Sequence, residues 1–176
     1  LITFPLEWPL SNEVKKNNML YYFDKLPENK IMMGSAIFSV IACELGMRSK
    51  AWEYFEDLFA HYHEDLFFIA SESPTNDCWP FITGLGGFLS CLYYGFGGIR
   101  LRKNGLLISP VLPKNTPEIT FNAVRYQNRE FKLRIWDGGE KFSLTNKGKA
   151  CDFTVHFRGK RLYKKKKKSI PPLSTK

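Results

Sequence analysis

Six glycines stand in TGLGGFLSCLYYGFGGIRLRK, Thr83 to Lys103, three near its start and three near its end, with no charge until Arg100. Glycines at a helix start can cradle phosphate on backbone N–H groups. That chemistry needs a strand, a GxGxxG or GxxxxGK[ST] turn and then a helix. Here the glycines follow a loop and Pro80, with no Lys-Ser/Thr pair or downstream ribose-binding acid suitably placed, which argues against the cradle. His61 and His63 invite a metal reading. On a helix, residues two apart point in different directions and share one ion poorly, so a solvated helix end is expected and no metal. Lys164–Lys168 and the basic residues Arg125, Arg129, Lys132 and Arg134 could meet an anionic polymer such as nucleic acid. No aromatic interleaving supports base stacking beside the lysine run, so nucleic acid is not the expected partner.

The glycine stretch also has the length of a membrane span, since the 22 residues Cys78–Ile99 are uncharged and a basic flank follows. Its six glycines and Pro80 weaken that reading. Glycine costs about 1 kcal/mol against alanine in a helix, so these positions point to tight packing and the expectation is a fully buried helix.

The elements that must position these residues divide by charge and by period. Up to Phe96 the chain carries 6 Lys/Arg against 12 Asp/Glu, and from Gly97 onward 20 against 5, so the net charge of +9 conceals a step at the glycine pair. The expected organisation is α+β: helices over 1–96, a small antiparallel β-sandwich-like domain over 97–163, and a disordered basic tail over 164–176. Ser11 or Asn12 caps a first helix that Pro27 closes. KIMMGSAIFSVIACELG reads as a second helix, apolar on nearly every side, with Gly46 at its C-cap. A third begins at a Ser49 cap, with Trp52, Phe55, Phe59 and Tyr62 as its buried stripe. Phe81–Tyr94 is the fourth. From Gly97 short β-rich runs are separated by turn residues. Ile119, Phe121 and Ala123 alternate with polar neighbours, as do Phe131, Leu133 and Ile135, giving a hairpin with one wet, basic face.

Cys43, Cys78, Cys91 and Cys151 form no CxxC pair, and two of them lie in apolar runs. Free thiols in a reducing, cytoplasmic compartment are expected. The start LITFPLEWPL lacks the basic region and long apolar core of a secretory leader. Beginning at Leu1, the chain is expected to be the tail of a longer protein.

Four segments carry a resemblance in order and spacing: FPLEWPLSNEVKKNNMLYY, MMGSAIFSVIACELG, TGLGGFLSCLYYGFGGIRLRKNGLLISPVLP and ITFNAVRYQNREFKLRI. Together they resemble the C-terminal part of glycoside hydrolase family 65. That resemblance implies the last helices of an (α/α)6 barrel followed by a β domain, from an anomer-inverting enzyme without cofactor or metal. The implied substrate is glucosyl-galactosyl-hydroxylysine or a related α-linked disaccharide unit. The family's phosphorylases carry a phosphate-binding histidine at the position matched here by Phe81, so the resemblance implies hydrolysis. Its general acid lies upstream of Leu1, which makes the isolated chain inactive. Its general base is a glutamate after a tyrosine, where this chain reads Tyr22-Phe23-Asp24. Either Asp24 acts as base from one residue further on, or this copy has lost its base. Trp79 and Tyr22 are candidates for stacking on sugar, with Trp52 beside them, against the alternative of ordinary core packing. A non-catalytic module whose basic β domain binds an anionic partner is the competing function.

Overall fold

The computed structural model describes residues 1–26, 30–63, 68–75, 78–103, 105–147, 154–158, 160–164 and 169–170. Pro27, Cys151 and Lys165 to Lys168 lie outside them. The chain divides into two compact units, Leu1–Phe96 and Gly97–Lys176.

The first unit is built around α2. Helix α1 (Asn12–Phe23) starts where the Ser11 side chain accepts the Val14 N–H at 3.3 Å. Helix α2 (Met32–Glu44) buries Met32, Ser35, Ala36 and Ser39 to Cys43. It ends in a Schellman turn: Gly46 takes φ +71°, its N–H bonds Cys43 O at 2.9 Å, and the Met47 N–H bonds Ala42 O at 2.8 Å. Helix α3 (Arg48–Glu56) tightens into a 3-10 turn (Asp57–His61) and a two-residue strand β1 (Tyr62–His63), paired with β2 (Ile69–Ala70). Its first turn has no side-chain cap, and its N-cap residue is Met47 rather than Ser49.

The buried stripe of α3 also differs from expectation. Ala51, Tyr54, Phe55 and Leu58 are buried, whereas Trp52 is 37% and Phe59 53% exposed. Small Ala51 allows close approach to α2, where the Ser39 hydroxyl donates to Ala51 O at 2.8 Å. The large aromatics Trp52 and Phe59 are displaced to the flank of that contact.

Helix α4 (Ile82–Ser90) continues as a π-helical segment (Cys91–Phe96). A Cβ on Gly87 would lie 2.7 Å from the Ala36 Cβ, and one on Gly84 2.6 Å from the Met32 Sδ, so the glycines let α4 rest almost directly on α2. The expectation of a fully buried helix holds for this face alone. Ile82 and Leu89, on the opposite side, are 68% and 55% exposed. No helix among the described residues is long and apolar enough to cross a membrane.

Among the described residues the second unit holds two four-stranded sheets. One orders β10-β7-β6-β5 and is antiparallel throughout: β5 (Glu118–Tyr126), β6 (Arg129–Trp136), β7 (Lys141–Asn146) and β10 (Ser169–Ile170). The other orders β3-β4-β8-β9, comprising β3 (Ile99–Arg102), β4 (Gly105–Ile108), β8 (Thr154–Phe157) and β9 (Lys160–Lys164). Here β4 and β8 run parallel, so the domain is mixed and not purely antiparallel. The chain leaves β4, builds the other sheet and returns beside it, a connection long enough to allow parallel pairing.

Both sheets contribute to one core. Phe131, Leu133 and Ile135 are fully buried, each stabilising by roughly 1.5–3 kcal/mol, and Phe142 stacks on Phe157 at 4.8 Å. On β5 the phase slips. A bulge between Phe121 and Val124 turns Ala123 outward and sends Val124 and Tyr126 inward. Ser169–Ile170, in the stretch expected to be structureless, pairs with Thr145 and Leu144, because the edge of β7 offers unpaired backbone groups.

Candidate functional site

Helix α1 ends at the residues singled out for chemistry. Tyr21 and Tyr22 stand 60% and 58% exposed, their rings edge-to-face at 5.2 Å. Phe23 turns the other way. Its ring lies 5.4 Å from Phe38 on α2 and 4.3 Å from Tyr54 on α3, with the Lys30 Nζ 4.5 Å above it. At the position where the resemblance places a glutamate, the side chain therefore joins an aromatic cluster.

Asp24 is the C-cap of α1, its backbone N–H bonded to Leu20 O at 3.2 Å and its side chain exposed. Its charge reaches Tyr54. Burial pushes that phenol up to about 12, with the charges of Glu53 and Asp24 adding to the effect, and its buried hydroxyl has no hydrogen-bond partner among the described residues. Tyr54 therefore stays neutral at physiological pH and supplies no base.

A second carboxylate sits behind Phe23. Asp57 accepts a hydrogen bond from the buried Ser35 hydroxyl and pairs with Lys30 at 3.8 Å. It was not singled out in the sequence, because it lies outside the apolar stripe expected for the third helix. The spacing of Asp57 from Tyr54, with Ser35 in the first turn of α2 opposite, is the signal that could have found it.

Trp79 is 42% exposed on the segment before α4, which the Phe81 N–H ties to Ala70 O at 2.8 Å. No ring contact or hydrogen bond among the described residues joins Trp79 to Tyr22 or Asp24. Trp52 lies instead in a separate aromatic group with Phe55 and Phe96, at 5.5 and 6.2 Å. Phe81 is half-buried at the start of α4, where it meets Gly84. Its phenyl ring has no donor for an oxyanion.

The histidines do not form a solvated helix end. His61 is 1% exposed and its Nδ1 has no hydrogen-bond partner among the described residues, while the His63 Nε2 lies 2.8 Å from the Ser71 hydroxyl. The 3-10 turn and the β1–β2 ladder fold this segment back and bury His61. No group of three metal-ligating side chains occurs among the described residues. Cys43, Cys78 and Cys91 are free thiols. Burial pushes Cys91 up to about 12, and its Sγ donates to Ala36 O at 3.4 Å, so it packs rather than reacts.

The basic sheet face is partly neutralised. Arg134 pairs with Glu118 and lies 5.4 Å from the Trp136 ring, while Glu130 holds Arg125 at 3.3 Å and Lys147 at 2.8 Å.

Comparison with known proteins places these elements. The family model "Glycosyl hydrolase family 65, C-terminal domain" matches residues 99–163. The chain is 29% identical over 133 residues to the protein-glucosylgalactosylhydroxylysine glucosidase of Dictyostelium discoideum, covering 76% of this chain and 19% of that protein. It is 28% identical over 141 residues to the alpha,alpha-trehalose phosphorylase of Geobacillus stearothermophilus, covering 80% of this chain and 17% of that one. Among solved structures, a putative kojibiose phosphorylase from the human microbiome superposes with a TM-score of 0.75 at 20% identity, over 99% of this chain and 24% of that chain. The chain thus spans about a fifth of the length of the relatives it matches.

Proposed function

We propose, from the premise that residues 99–163 are a glycosyl hydrolase family 65 C-terminal domain, that this chain is the C-terminal portion of an inverting α-glucosidase. Its substrate is glucosyl-galactosyl-hydroxylysine or a related α-linked disaccharide unit. The family match carries the reading, together with the helical unit that precedes the matched domain. Residues 1–96 supply the last helices of an (α/α)6 barrel, and upstream helices supply the rest. The exposure of Leu6, Trp8, Tyr21, Ile82 and Leu89, each above 50%, supports a missing apolar partner.

In this reading water attacks the anomeric carbon from the face opposite the leaving group. The C–O bond to water forms as the glycosidic C–O bond breaks. Asp24 takes the proton from water, and an acid on the absent part of the barrel protonates the departing oxygen, the pair standing roughly 6.5–9.5 Å apart. Phe81 favours water over phosphate, because its phenyl ring cannot bond a phosphate oxygen where the resemblance places a histidine. Tyr22 and Trp79 offer exposed ring faces to sugar. The free thiols support a reducing, cytoplasmic setting.

In the whole protein that carries this chain, Asp24→Asn should abolish glucose release, by about 10²–10⁴-fold, while leaving the fold intact. Glucose, and not glucose 1-phosphate, should be the product with or without phosphate. Retained turnover in Asp24→Asn would remove that residue from the mechanism. The packing of Phe23 into the Phe38–Tyr54 cluster favours a second reading, in which this copy has lost its base and wild type itself releases nothing.

A further inference from the structure

The Tyr126 hydroxyl donates to Arg102 O at 2.7 Å, tying the end of β3 to the end of β5 and bringing two hairpin turns to one end of the domain. Between them opens a cleft of about 500 Å³, lined by Leu101, Arg125, Gln127, Asn128, Arg129 and Glu130. Gln127 and Asn128 take φ +48° and +59°, which closes the β5–β6 hairpin in two residues. Arg102 and Lys103 are exposed on the facing turn.

Glu130 is the one carboxylate among the cleft's described residues, and its orientation matters. It takes the Nε of Arg125 and the Nζ of Lys147, so the two Nη groups of Arg125 carry no bond to a described residue. A guanidinium held by Nε presents its outer edge, a two-donor fork suited to a planar or tetrahedral oxyanion. The amides of Gln127 and Asn128 add donors and acceptors suited to hydroxyls, and Leu101, 51% exposed, gives an apolar edge. The volume falls within the range of about 300–1,000 Å³ usual for small-ligand sites. The cleft's aromatic residue, Tyr126, is buried with its hydroxyl engaged, so it offers no face on which a nucleobase would stack.

We propose that this cleft is a binding site for an anionic saccharide, one bearing sulfate or carboxylate groups, with Arg125 and Arg129 taking the charge and Gln127 and Asn128 the hydroxyls. The site is separate from the chemistry proposed for α1 and stands whether or not that chemistry is right. Arg134, held by Glu118 on the sheet face, has no part in it.

The test is isothermal titration of the whole protein with a heparin-derived tetrasaccharide. Binding should weaken as salt rises, and Arg125→Gln/Arg129→Gln should weaken it by about tenfold or more. Lys132→Gln/Lys141→Gln, on the face of the same sheet, should leave it unchanged. Thermal melts accompany both, and if the double variant unfolds, Arg129→Gln alone carries the comparison. No measurable binding, an equal loss in the two double variants, or tighter binding of an RNA oligomer of matched charge would each overturn the proposal.

Discussion

His61 shows how far one buried side chain can govern behaviour that its sequence context does not announce. Desolvation lowers its pKa, and the charge of Asp57 with backbone contacts at Glu72 and Ser71 opposes only part of that shift. The folded protein therefore binds this proton less readily than the unfolded chain, whose histidine titrates at about 6.5. Above that pH the group is neutral in both states and contributes nothing. As pH falls below about 6.5 the unfolded state gains protons first and stability declines. Thermal melts at about pH 7.5 and about pH 5.5 should show a drop that shrinks in His61→Gln; an unchanged drop would assign the effect elsewhere. The burial of His61 was legible in principle. Ala51, Tyr54, Phe55, Leu58 and His61 recur at spacings of three and four, but Trp52 and Phe59 drew attention to a stripe that the packing does not use. Asp24 and Phe23 were legible only through resemblance, since no spacing rule reveals which of two adjacent residues faces a substrate.

Elements were easier to read than the contacts between them. The Ser11 cap and the Gly46 stop are local chemistry, and the sequence shows both because each needs only a few neighbouring backbone groups. The glycines of α4 are a matter of contact, and two adjacent ones differ sharply. A Cβ on Gly87 meets the Ala36 Cβ at 2.7 Å, whereas one on Gly86 meets nothing within 4 Å. Gly86→Ala should therefore stabilise by about 0.5–1 kcal/mol through helix propensity. Gly87→Ala should destabilise by about 1–2 kcal/mol, because pushing α4 off α2 outweighs the same gain. Denaturant midpoints of the pair decide it, and equal shifts of one sign would show that α4 does not rest on α2 here. The bulge in β5 was misread for a similar reason. Ile119 and Phe121 set one alternation and Val124 and Tyr126 the opposite one, and only pairing with β6 decides where the phase must slip.

At the scale of the whole molecule, the change from helical to alternating periodicity at Gly97 was legible because each period reports its own local burial. The parallel pairing of β4 with β8 was not, since strands so far apart in sequence leave no local trace of their neighbours. The function proposed rests on helices upstream of Leu1 completing the first unit. If the acid and the rest of the barrel lie upstream as proposed, the purified 176-residue chain should release no glucose. The most direct measurement is proton NMR of the first product formed when the whole protein that carries this chain meets glucosyl-galactosyl-hydroxylysine, run beside the 176-residue chain alone. An inverting α-glucosidase gives β-glucose first, from the whole protein only. No glucose from the whole protein, or α-glucose as its first product, would contradict the account.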